Sequence, residues 1–132
     1  MTSLHGLHVH GFPNFYVVSP AQAANLISNV PHNLVEAAAT IAAVVGHAES
    51  IGAERVEVTA DAEAEWVAML LAGERRFGGG TTCTPGSYNN EGQGLDAAAR
   101  QNSVGYPDGP VAYFEHIAQW RSTGEFEGLT FT

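Results

Sequence analysis

The chain has 132 residues, with 14 Asp and Glu against five Arg and no Lys, for a formal net charge of −9. That balance repels phosphate backbones and anionic lipid, which argues against nucleic acid and membranes as partners. The length suits one compact domain, and 45% apolar residues supply enough side chains for a core.

In chain order, residues 4–10 alternate small and polar positions around His5, His8 and His10, and Gly11-Phe12-Pro13-Asn14 is a turn signal. Phe15-Tyr16-Val17-Val18 is aromatic and β-branched and predicts a buried strand, ended by Ser19-Pro20. Residues 20–31, with Gln22, Asn25 and Asn29, predict a loop or a short irregular helix. Leu34, Ala38, Ile41, Val45 and Ala48 then recur at helical spacing and predict a helix over 31–50 with these residues as its inner face. Asn33 and Glu36 suit its N-cap and N3 positions, and Gly52 suits its end. Residues 55–58 form a short alternating strand. Thr59 offers the cap of a second helix, whose early Asp61, Glu63 and Glu65 complement the dipole. Ala62, Trp66, Met69 and Leu70 are its apolar face, and Gly73 is its stop.

Residues 78–107 show little periodicity. Structureless stretches this long are usually functional or disordered, and Tyr88 with the paired Asn89 and Asn90 points to an ordered loop. A short helix is expected near 95–101. Pro110 suits the first turn of a last helix with Tyr113, Phe114, Ile117 and Trp120 on one face and Gly124 beyond it. Residues 129–131 can pair as a closing strand with 55–58. The expected fold is α+β: about three helices on a small sheet of short strands, with a long ordered loop, as a single domain over 1–132.

The lone Cys83 rules out an internal disulfide and reads as a small buried hydrophobe. No charged segment leads into an apolar one at the N-terminus, so no signal peptide is expected. The apolar-leaning run 34–45 reads as too short and too Ala-rich to span a bilayer. A cytoplasmic chain is expected.

The motifs in order resemble the C-terminal segment of a Baeyer–Villiger-type flavin monooxygenase. The resemblance rests on His10-Gly11-Phe12-Pro13-Asn14-Phe15, Asn33-Leu34-Val35-Glu36-Ala37-Ala38, and Gly52-Ala53-Glu54-Arg55-Val56-Glu57-Val58-Thr59 with Trp66. It continues through Cys83-Thr84-Pro85-Gly86, Tyr88-Asn89-Asn90-Glu91-Gly92, Tyr113-Phe114 and Trp120-Arg121, and so spans nearly the whole chain. It implies a loop and helix N-terminus on the flavin side, with Pro20, Gln22, Asn25, Asn29 and His32 facing the cofactor. The family binds FAD and NADPH through Gly-rich fingerprints on βαβ units, which this sequence lacks. Gly92-Gln93-Gly94-Leu95-Asp96-Ala97 satisfies the string but follows Asn-Asn-Glu instead of a strand. The chain alone is therefore expected to bind no cofactor, with FAD held only together with a partner.

Candidate chemistry falls on few residues. His10 and His32 are candidate acid–base groups, since a histidine needs little tuning near neutral pH. His8 and His10 would share a face of a strand but are too few for a metal site, and none is expected. His47 and His116 read as helix residues without a function. Tyr88 and Glu91 are further catalytic candidates on the polar loop, with Asn89, Asn90, Trp66 and Tyr113 as substrate contacts for a small apolar or carbonyl-containing molecule. Gln22, Asn25 and Asn29 are the cofactor-side candidates.

Three functions fit. The chain is a monooxygenase subunit that completes a flavin and substrate pocket with a nucleotide-binding partner. Alternatively it is a cofactor-independent isomerase or cyclase of a biosynthetic pathway, a reading that suits a chain opening on its own Met. Or it is a non-catalytic homodimeric binding module.

Overall fold

The computed structural model describes residues 1–19, 21–24, 28–73, 84–86, 91–93 and 96–132. Among them are helices α1 (Val30–Ile51), α2 (Ala60–Ala72), α3 (Ala97–Ser103) and α4 (Pro110–Thr123), and strands β1 (Val56–Val58) and β2 (Leu129–Phe131). The strands pair with each other, as expected, and the structure makes the pair antiparallel with Glu57 opposite Thr130. The fold is α+β and rich in helix.

Local chemistry explains the helix ends. Asn29 caps α1 by accepting from the His32 N–H at 3.3 Å, and Pro31 sits in the first turn, where no intrahelical N–H is needed. Gly52 closes α1 at φ 71° with its N–H on the Ala48 and Glu49 carbonyls. Thr59 caps α2 through Ala62, and Asp96 caps α3 through Ala99. Gly73 ends α2 for a different reason. Its φ is −95°, but a Cβ there would lie 2.4 Å from the Pro107 ring.

Three expectations about α1 and residues 15–18 need correction. The cap of α1 is Asn29, not Asn33. Asn33 instead exchanges hydrogen bonds with Ser28, and Glu36 pairs with Arg121 of α4 at 2.8 Å. The inner face of α1 carries Thr40, Val44 and Ala48, while Leu34, Ala38 and Val45 are exposed. The buried stripe is thus rotated by roughly a quarter turn from the expected one. The anchor is tertiary: one Arg121 nitrogen reaches the Glu36 carboxylate, the Glu36 carbonyl and the buried Thr40 hydroxyl. Finally, residues 15–18 form no strand. Tyr16 makes one bridge to His8, and Val17 donates to the Leu7 carbonyl, while Phe15 and Val18 are half exposed. The apolar run at 34–45 lies within α1, as expected. At 22 residues α1 is long and apolar enough, by length and composition alone, to cross a membrane.

The core gathers Leu70 and Val67 of α2, Ile117 and Trp120 of α4, Val44 of α1 and Val56 and Val58 of β1. Val67 takes the inward place expected of Met69, which is partly exposed. The N-terminal segment, residues 1–10, lies across this core and brings buried histidines to it.

Candidate functional site

The site is built on a tight N-terminal turn. Leu4 and His8 bridge each other, and the Leu7 and His8 N–H groups both donate to the Leu4 carbonyl. His5 and Gly6 take left-handed φ values of 57° and 71°. Gly6 is required there, since a Cβ would meet the Ala21 carbonyl oxygen and the Ala23 side chain at 2.9 Å. The turn folds both His5 and His8 inward, each only 3% exposed.

His5 sits in an aromatic cage. Trp66 and Trp120 meet its ring edge-on, with centroids at 4.5 and 4.9 Å. Its Nε2 lies 3.4 Å from Nε2 of His116 on α4, and the Tyr113 hydroxyl donates to its backbone carbonyl at 2.9 Å. His5 Nδ1 and His8 Nε2 are buried without a hydrogen-bond partner. Burial holds His5 well below the ordinary histidine range, helped by His116 and His8, and lowers His8 to about 4. His116 is lowered and Tyr113 raised by the same loss of water. At neutral pH the cluster is uncharged.

Beside this cage lies a cavity of about 260 Å³. His5, Leu7, Ala23 and Tyr113 are its buried walls, and the exposed Val18, Val30 and Leu34 form its rim. Ser19 and Asn33 bring the polar side chains that flank it. An uncharged, largely apolar hollow of this size suits a small apolar molecule or an apolar side chain.

Of the residues singled out from sequence, Tyr113 lines the cavity. His10 is exposed, its Nδ1 on the Val58 carbonyl at 2.9 Å and its N–H on the Glu63 carboxylate at 2.7 Å, so it does not share a face with His8. His32 lies in the first turn of α1 with its ring edge-on to Phe114. Trp66 is a core residue whose Nε1 donates to the Gln22 carbonyl at 3.0 Å. Gln22 is itself buried, accepting from Ser3 and donating to the Gln101 carbonyl. Asn29 is the cap of α1, and Glu91 sits at φ 54° with its N–H donating to the Gly86 carbonyl. Asn25, Tyr88, Asn89 and Asn90 lie outside the described residues. His5 and His116 join the cluster across 111 positions of sequence, and no local pattern signals that meeting.

The described residues do not fit a dinucleotide cradle. Gly92 packs against Pro85, where a Cβ would come within 3.2 Å of the ring, and Asp96 spends its side chain capping the seven-residue α3. Among the described residues no group of three or more His, Cys, Asp and Glu is placed to hold a metal.

Fold and sequence together are similar to one segment of flavin monooxygenases. The chain is 39% identical to the FAD-binding monooxygenase hmp7 of Hypomyces subiculosus over 99% of its own length. It is 35% identical to Baeyer–Villiger monooxygenase 4 of Dietzia sp. over 98%, and 34% identical to neopentalenolactone D synthase of Streptomyces avermitilis over 96%. The polycyclic ketone monooxygenase of Thermothelomyces thermophila superposes over the whole chain with a TM-score of 0.79 at 26% identity. The closed form of cyclohexanone monooxygenase shares the fold, with a TM-score of 0.72 at 23% identity. No family model matches. The chain is a homologue of Baeyer–Villiger-type, FAD-binding monooxygenases, consistent with a C-terminal portion of one. It spans about 21% of the length of these relatives.

Proposed function

We propose that the chain is the C-terminal portion of a Baeyer–Villiger-type monooxygenase, docking on a nucleotide-binding partner to complete a flavin and substrate pocket in the cytoplasm. The observation that supports this is the apolar face around the cavity. Val18, Val30 and Leu34 at its rim, with Val35 and Val45 further along α1, are exposed, and Val35 reaches 63% exposure. Patches of this kind mark interaction surfaces. Relatives nearly five times longer supply an obvious class of partner for it. FAD would be held by the partner's fingerprints, with Asn25, Asn29 and His32 on the side of this chain that faces it, while Gln22 is buried within the chain. Tyr113 and the cavity, with Asn89 and Asn90 of the polar loop, would receive a small apolar or carbonyl-containing molecule.

The test is reconstitution. The chain is mixed with a protein spanning the remaining part of a relative, and flavin retention and substrate-dependent oxygen uptake are measured. Retention that appears only in the mixture, and falls at least about tenfold for Leu34→Glu, is the expected result. Absence of any complex at micromolar concentrations of both overturns the reading.

A second reading has one observation in its favour, the buried neutral His5 in the cavity wall. It makes the chain a cofactor-independent isomerase or cyclase, with His10, His32, Tyr88 or Glu91 as further acid–base groups. Turnover without flavin or nicotinamide that is lost in these variants would support it. A homodimer covering the same face is the third outcome, read by sedimentation.

A further inference from the structure

The buried histidines have no task in the docking reading, yet they sit where the N-terminal segment meets α4. We propose that His5 and His116 form a proton-operated latch. While neutral, they hold residues 1–10 in place as a wall of the cavity, and proton uptake in mild acid releases the segment and dismantles that wall.

The geometry carries this. At 3.4 Å the two Nε2 atoms can share one proton, one ring donating and the other accepting. A proton on each would set like charges against each other in a site walled by Trp66, Trp120 and Tyr106. His8 adds a third buried imidazole to the same turn, against Tyr16 and Trp120. From α4 the turn also meets the Tyr113 hydroxyl, which donates to the His5 carbonyl and cannot neutralise an imidazolium. The Arg121–Glu36 pair acts on Tyr113, and the charges acting on His5 are those of His116 and His8, both opposing its protonation. From α2, Glu63 holds both ends of the segment, accepting from the Thr2 hydroxyl and the His10 N–H.

Released histidines titrate near 6.5, whereas the buried ones resist protonation down to about 4 at His8. Acid therefore favours the released state. The segment supplies His5 and Leu7 to the cavity, so release removes part of its wall. Only the further consequence, loss of docking in acid, rests on the docking reading.

The experiment uses the chain alone. Amide exchange of residues 2–9, corrected for intrinsic rates, is followed from pH 7.5 to pH 5.5 beside the fluorescence of Trp66 and Trp120, which both touch His5. The expected opening constant rises at least about tenfold across that range while α1 and α2 stay protected. His116→Gln, at a half-buried position, is expected to weaken the rise, and His5→Phe to lower it to the part that His8 supplies. Glu63→Gln, which removes the carboxylate that holds both ends of the segment, is expected to leave the rise in place. Opening that does not depend on pH, a rise unchanged in His116→Gln, or α1 and α2 opening together with the segment would each overturn the latch. Because no partner is present, these outcomes leave the docking proposal to its own test.

Discussion

Toward α4, helix α1 buries Thr40, Val44 and Ala48 and is pinned by the Arg121–Glu36 pair, while Leu34, Val35 and Val45 on another side stay exposed. The two faces are both apolar. They differ in whether another element of the described chain lies over them. One face stabilises this fold, and the other is available to stabilise a complex. Substitutions on the two should therefore part company, with the inner face measured by folding and the outer by association.

The largest effect belongs to the closed core. Leu70→Ala, at a fully buried site, is expected to cost about 2–5 kcal/mol in urea denaturation, through lost burial plus the cavity left behind. Acid is next. His8 is neutral in the fold with its ionisation lowered to about 4 from 6.5, so its contribution is complete above pH 6.5 and lost as pH falls toward 4. That is about 3 kcal/mol, seen as a stability curve rising with pH, and His8→Phe should flatten it. Arg121→Met follows, at about 1–3 kcal/mol, because it strips the buried Thr40 hydroxyl and the Glu36 carboxylate of their shared donor. Asn29→Ala removes the α1 cap and should lower the melting midpoint by an amount equivalent to about 1 kcal/mol. The smallest effect is on the open face. Leu34→Glu should change stability by no more than about 0.5 kcal/mol while weakening association. If it destabilises the isolated chain as Leu70→Ala does, the contrast between the faces collapses.

Much of the backbone was legible in sequence because it is encoded locally. Thr59 opened α2, and Gly52 and Gly124 closed α1 and α4, where their chemistry placed them, and the short patterns at 55–58 and 129–131 paired as expected. The site was less legible. Tyr113 was found as one of the aromatic side chains on the α4 face, but His116 on the same helix was passed over because its partner, His5, lies at the other end of the chain. The strand read at 15–18 failed because β-branched and aromatic residues make a strand only with a neighbour to pair along, and Tyr16 has a single bridge.

By itself the sequence determined most of the helix ends, the strand pairing and the kinship with flavin monooxygenases, each written in adjacent residues or in motif order. Only the tertiary structure decided which side of α1 turns inward and which histidines lose their water. A helical period defines a stripe without saying what will cover it, and burial depends on contacts between residues far apart in the chain.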